Sequence, residues 1–92
     1  MNKSQLIGVV AEKLDMKKKD VELVLDTVIN TIYETLQNDD KVTISGFGTF
    51  STKYRRERNG VNPKTGEKII VSAATLPHFK AGKTFKEVVA KE

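Results

Sequence analysis

The chain contains no cysteine and no tryptophan, only two prolines and a single histidine, His78. The missing cysteines exclude disulfide staples, thiolate catalysis and cysteine-based zinc sites, and they suit a reducing compartment. One histidine leaves a metal site without its usual companions, and no acid, base and nucleophile set suggests itself, so neither a metal centre nor a catalytic residue is expected. Long hydrophobic runs are missing as well. No unbroken run exceeds three residues, as at 9–11 and 69–71, far below the about 20 that a membrane-spanning helix needs. Glu12, Lys13 and Asp15 interrupt any signal-peptide core. The expectation is a soluble, unprocessed protein with no membrane partner, no cofactor and no enzymatic activity.

What is present is charge, unevenly placed. Residues 1–52 carry a net −2, whereas residues 53–86 hold nine Lys or Arg against Glu57 and Glu67, a net +7. A basic half joined to a mildly acidic one is the electrostatic footprint of a polyanion binder, with a solvated lysine-rich surface as the plainer alternative. At 92 residues the chain makes one domain, and a domain this small needs something to supplement its core. Without disulfides, association with an identical chain is the simplest supplement.

Hydrophobic spacing predicts the elements. Asn2 and Gln5 form a capping box pattern, with Met1 and Leu6 placed as a hydrophobic staple, so a helix starts near Lys3. Leu6, Ile7, Val10, Ala11 and Leu14 share one face of it. Val21, Leu25, Val28, Ile29, Ile32 and Leu36 predict a second, longer helix, which Asn38, Asp39 and Asp40 stop. The period then falls to two at Val42-Thr43-Ile44. Gly46 and Gly48 bracket Phe47 and allow a sharp turn into a strand running from Gly48 to about Arg58. Asn59 to Gly66 is loop chemistry, Lys68–Thr75 is the return strand, Pro77 ends it, and a short helix carrying Phe85, Val88 and Val89 follows Gly82.

The outgoing strand is the anomaly, because Lys53, Tyr54, Arg55, Arg56, Glu57 and Arg58 put charge on both faces of the pleat. Such a ribbon has no apolar face and is unstable alone in water, so it flexes or lies on a partner, and DNA would supply the contacts. At its tip, Asn62-Pro63-Lys64-Thr65-Gly66 reads as ordinary turn chemistry. On a protruding basic hairpin, however, Pro63 is also a rigid apolar wedge able to unstack a base step. Lys17-Lys18-Lys19 open the second helix, where the dipole disfavours cations, which leaves phosphate contact or a solvated face to explain them. Two further fragments fail as motifs. Gly82-Lys83-Thr84 lacks the upstream glycine of a phosphate-binding loop, since position 77 is proline, and Gly46-Phe47-Gly48 has Ser51 where a dinucleotide fingerprint ends in glycine.

Three segments taken together carry a resemblance: Gly46-Phe47-Gly48-x-Phe50, then Arg55-x-x-Arg58-x-Gly60-x-Asn62-Pro63-x-Thr65-Gly66, then Pro77-x-Phe79-x-x-Gly82-Lys83. The chain resembles, over its whole length, the HU family of bacterial histone-like proteins and its relative integration host factor. The resemblance implies an α+β fold: two N-terminal helices, a three-stranded antiparallel sheet extended into a long β-hairpin arm, and a short C-terminal helix, in an intertwined homodimer. It implies a helical dimerisation region at about 1–40, sheet and DNA-binding arm at about 41–76 (the arm itself about 53–75), and the C-terminal helix at about 83–90.

The function so implied is architectural: sequence-independent binding, bending and compaction of double-stranded DNA in the bacterial nucleoid, with arms in the minor groove and Pro63 intercalating. Kinked, nicked or gapped duplex would be preferred. Lys53, Arg55, Arg58, Asn62, Pro63 and Lys64 fall at arm and tip contacts. Lys3, Lys18, Lys80, Lys83 and Lys86 match contacts to the flanking backbone, while Phe47, Phe50 and Phe79 match dimer-core aromatics. Two positions depart from the family pattern: Val61 replaces a commonly basic residue, and Lys17 stands where relatives tend to carry a helix-capping serine. The alternatives are a sequence-selective DNA bender like integration host factor and an RNA binder using the same arms.

Overall fold

The computed structural model describes residues 1–90. In chain order they form α1 (Lys3–Leu14), α2 (Lys18–Gln37), β1 (Val42–Ile44), β2 (Gly48–Arg55), β3 (Arg58–Val61), β4 (Lys68–Val71), β5 (Ala74–Ala81) and α3 (Lys83–Val89). The chain divides into two units, Met1–Glu34 and a second beginning at Thr35.

In the first unit, Asn2 caps α1 through the expected reciprocal pair. Its side chain accepts the Gln5 N–H, and Gln5 Oε1 accepts the Asn2 N–H, both at 2.9 Å. The hydrophobic staple does not form: Met1 is 85% exposed, as first residues are rarely tied down. Asp15 closes α1 in a left-handed conformation, its N–H donating back to the Ala11 and Glu12 carbonyls. Before α2, Lys17 has no side-chain acceptor to offer and contributes its carbonyl, to the Asp20 and Val21 N–H groups at 3.1 and 3.2 Å. Asp20 is the single acid in that first turn, where it opposes the unfavourable pairing of lysines with the helix dipole.

Ile7, Ala11 and Val21 are the only buried hydrophobic residues among those described. Val10 and Leu25 pack half-buried beside them. Leu6, Leu14, Met16, Val24 and Val28 line an open apolar groove, so much of the stripe that encodes the two helices stays in water. A core of three residues is far smaller than a chain of this length needs.

The second unit contains a three-stranded antiparallel sheet in the order β1-β2-β5. β1 and β2 are joined by the glycine turn, with the Phe47 N–H donating to the Ile44 carbonyl at 2.9 Å. β2 pairs with β5 along its whole length, from Gly48↔Ala81 to Arg55↔Ala74. Side chains alternate across the pleat, so the register assigns Phe50 and Phe79 to one face with Val42 and Ile44. Phe50 and Phe79 have ring centroids 4.7 Å apart, and Phe47 lies 5.0 Å from Phe85 and 5.5 Å from Phe79. Gly48 makes this close packing possible, since a Cβ there would fall 2.5 Å from the Phe79 ring and 2.6 Å from the Lys80 carbonyl. Even so, Phe47 and Phe79 remain 43% and 38% exposed.

Four expectations need correction here. The strand from Gly48 does not run unbroken to Arg58, because pairing stops at Arg55 and resumes at Arg58 as a separate two-stranded ribbon, β3 with β4. The return segment is likewise split, at Ser72 and Ala73, and Pro77 sits inside β5 instead of ending it. β5 is an edge strand, bonded only to β2, and an edge is where a residue without an N–H is tolerated. Nor is the ribbon free of apolar residues: Ile69 and Ile70, opposite Gly60 and Asn59, fall on its two faces and both are exposed, as is Val61.

Candidate nucleic-acid interface

The sheet face opposite the phenylalanines is polar and basic. Alternation places Thr43, Thr49, Ser51, Lys53, Arg55, Leu76, His78 and Lys80 there. β1, β2 and β5 contain no Asp or Glu at all, so no carboxylate on these strands offsets the cations. Thr49 Oγ1 donates to Thr43 Oγ1 at 3.3 Å across the first pair. Beside these threonines lies a shallow hollow lined by Thr43, Ser45, Thr49, Lys80, Lys83 and Lys86, with Glu87 on its rim. Lys83 Nζ is 3.9 Å from Glu87 Oε1, and both side chains are largely exposed, so the pair holds Lys83 weakly. Three of the lysines singled out by the resemblance therefore converge on one concavity.

The arm carries Arg56 and Arg58 exposed, and Arg55 half-buried at its base. Arg55 is not free: one guanidinium nitrogen donates to the Ser72 carbonyl at 3.0 Å. At the tip, the Asn62 N–H donates to the Glu67 carbonyl at 2.8 Å and the Gly66 N–H to the Asn62 carbonyl at 2.7 Å. Inside that loop Asn62 Oδ1 accepts the Lys64 N–H at 2.9 Å, and Thr65 Oγ1 accepts the Glu67 N–H at 3.3 Å. Gly66 supplies the left-handed φ of +72° that closes the loop. Asn62 thus organises the tip, and Pro63 and Lys64 are exposed on it.

On the first unit, Lys3 and Lys18 line a shallow depression with Ser4, Ile7 and Glu22. Lys3 Nζ is bonded to Asp26 Oδ1 at 2.7 Å. That hydrogen bond, reinforced by the Asp26 charge, raises the Lys3 ammonium above the ordinary lysine value, so it is fully charged at neutral pH but already partnered. Lys18 is exposed.

The family model for the bacterial DNA-binding protein matches residues 1–90. The chain belongs to that family. Among its relatives, DNA-binding protein HU of Clostridium pasteurianum is 50% identical over 91 residues, covering 99% of this chain and all of the other. DNA-binding protein HU 1 of Bacillus subtilis is 46% identical over 90 residues, 98% of each chain. The structure superimposes on Anabaena HU from an HU–DNA cocrystal with a TM-score of 0.91, at 46% identity and full coverage of both chains. For HU from Thermotoga maritima the TM-score is 0.70 at 40% identity, over 98% of this chain and all of the other.

For a member of the bacterial DNA-binding protein family, several features of the sheet's two faces and the arm are not singled out by sequence. Thr43, Thr49 and His78 join the basic face only through strand register, although the period of two running back from Lys53 through Ser51 points to Thr49. Phe85 completes the aromatic cluster, whereas spacing assigns it only to a short helix. Arg56, exposed between β2 and β3, has no signal beyond its charge. Among the described residues no group of His, Cys, Asp or Glu is placed to hold a metal ion, and no helix is long and apolar enough to cross a membrane.

Proposed function

We propose that this protein is a non-enzymatic architectural DNA-binding protein that grips, bends and compacts duplex DNA with little regard to sequence. The observation that carries this reading is the acid-free basic sheet face, which runs through Lys53 into an arm whose tip exposes Pro63 on a hydrogen-bonded loop. Phosphate neutralisation dominates affinity in such a surface, with Lys53, Arg58 and Lys64 on the arm and Lys80, Lys83 and Lys86 at the hollow as the contacts. Lys3 and Lys18 meet the flanking backbone. Bending a site smoothly costs on the order of 1–6 kcal/mol, and the flanking contacts offset it. DNA that is already kinked, nicked or gapped carries less of that cost and binds more tightly.

The working form is an intertwined homodimer acting in the bacterial nucleoid. Its support is the apolar surface each unit leaves in water: the groove along Leu14 and Val24, and the half-exposed Phe47 and Phe79. Burying such surface is worth about 25 cal/mol per Å², which makes an isolated chain the less stable state.

The test is a titration of end-labelled duplexes of unrelated sequence at fixed salt, with sedimentation of the free protein. Affinities equal within a few-fold, shortened end-to-end distances and twice the chain mass are expected. Affinity confined to one sequence, or binding without curvature, would overturn the reading.

A further inference from the structure

We infer that the distal arm carries a sugar-selective surface, in which the exposed pair Val61 and Ile70 favours deoxyribose over ribose. The inference rests on the DNA-binding reading above, with the arm lying in the minor groove. Its starting point is the make-up of the two distal strands. β3 reads Arg-Asn-Gly-Val and β4 reads Lys-Ile-Ile-Val. Four of these eight residues are branched aliphatics and two are cations, while hydroxyl, carboxylate and aromatic side chains are all missing from the two strands. The pairs Arg58↔Val71, Asn59↔Ile70, Gly60↔Ile69 and Val61↔Lys68 sort them onto two faces, because side chains alternate along each strand. One face holds Val61 and Ile70 with Asn59 and Lys68. The other holds Ile69 and Val71 with Arg58 and Gly60.

Val61 is 61% exposed and Ile70 66%, and a two-stranded ribbon has no further layer to cover them. On the second face, Val71 Cγ2 and Ile69 Cγ1 lie 3.4 and 3.6 Å from where a Gly60 Cβ would stand, so those side chains close over bare backbone. Aliphatics on both faces of a basic ribbon suit a slot with two walls. The sugar edges of a minor groove form such walls, and the phosphates at its rims take Arg58, Lys64 and Lys68, all exposed. Single-stranded nucleic acid fits less well, because its bases stack on aromatic side chains. A DNA minor groove presents no 2′-hydroxyl, whereas an RNA minor groove displays one on every sugar. A hydroxyl pressed against Val61 or Ile70 loses its water and gains no partner. Asn59 is the single neutral hydrogen-bonding side chain of the two strands, too few for the row of hydroxyls along an RNA groove. The lysines of the sheet and the hollow meet phosphate in either polymer, so the distal arm makes the choice between them.

The experiment titrates whole-chain wild type, and a variant combining Val61→Thr with Ile70→Thr, on three duplexes of one sequence: DNA, RNA, and RNA whose 2′-hydroxyls are replaced by fluorine. The fluorinated duplex keeps the A-form of RNA without the hydroxyl donor, which separates sugar chemistry from groove shape. Threonine keeps the branched shape that suits a strand, and melting temperatures serve as the folding control. Wild type is expected to bind RNA about tenfold more weakly than DNA, the scale of an unsatisfied hydroxyl, and the fluorinated duplex is expected to recover most of that loss. The variant is expected to bind DNA about tenfold more weakly, the order of two aliphatic side chains losing their contacts, with RNA affinity and the log–log salt slope unchanged. Wild type that binds fluorinated and ordinary RNA alike overturns the inference, and this comparison does not depend on the variant folding. So does a variant that weakens equally on DNA and RNA, or on neither. Those outcomes leave the DNA-binding reading standing. Wild type without affinity for duplex DNA overturns both.

Discussion

Asn62 Oδ1 accepts the backbone N–H of Lys64 at 2.9 Å, so the residue before Pro63 and the residue after it are tied together across the proline. For the wedge proposed at Pro63, this tie lowers the ordering cost on binding. Replacing Asn62 with Ala removes that side-chain acceptor while the Asn62 N–H bond to Glu67 remains. Bending, read by end-to-end fluorescence transfer, is expected to fall more than affinity, which should drop by about 1 kcal/mol or less. Equal loss of both would mean that Asn62 acts as a contact.

The hollow around Thr43 and Thr49 makes a prediction about salt. Lys80, Lys83 and Lys86 all line it, and each phosphate contact contributes about −0.9 to the slope of log affinity against log salt on duplex DNA. Lys80→Ala and Lys86→Ala should each flatten the slope by nearly that amount. Lys83→Ala should do so slightly less, because Glu87 competes for its ammonium at 3.9 Å. Titrations between low and moderate salt on one duplex decide it. Unchanged slopes would remove the hollow from the interface.

Among the glycines, Gly48 is the one where an added methyl group meets the closest neighbours. Gly48→Ala would put a Cβ 2.5 Å from the Phe79 ring and 2.6 Å from the Lys80 carbonyl. Neither the ring in its cluster nor the backbone moves cheaply, so a loss of about 1–3 kcal/mol is expected, or roughly 4–8 °C in Tm per kcal/mol for a domain of this size. Calorimetry checks this. A neutral result would show that the phenylalanine cluster is loosely packed.

Much of this was legible in local sequence. The Asn2–Gln5 capping box, the two helical stripes, the switch to a period of two at Val42 and the loop chemistry of 62–66 are all local patterns, and each appears in the structure. What was not legible depends on partners distant in the chain. Pro77 breaks a strand in isolation, but β5 is an edge strand, where a residue without an N–H is tolerated. The break at 56–57 and 72–73 exists only because two ladders stop together. Arg55 looks like its neighbours Lys53 and Arg58 in a list of charges, and only the Ser72 carbonyl, 17 residues away, distinguishes it.

The Lys3–Asp26 pair sets two opposed effects. Lys3 is held above the ordinary lysine value by its hydrogen bond to Asp26, so the bond's contribution to stability is fully present below the ordinary lysine value and is lost as pH rises through the raised one. The Tm difference between wild type and Lys3→Met should accordingly be constant at neutral pH and shrink in strong alkali. Asp26→Asn frees the ammonium and removes a nearby negative charge, and it is expected to tighten DNA binding by a few-fold at low salt, where charge effects are least screened. Weaker binding by that variant would mean that Asp26 holds Lys3 in its contact position.

The most direct measurement is Pro63→Ala against wild type on a short duplex, with affinity and end-to-end fluorescence transfer read in the same titration at fixed salt. Pro63 is exposed on a loop whose internal hydrogen bonds do not include its side chain, so the substitution removes the wedge and spares the fold. Retained binding with a smaller distance change is the expected result. Wild-type protein that binds without shortening the duplex, or a Pro63→Ala protein that shortens it as much as wild type, would contradict bending by a proline wedge.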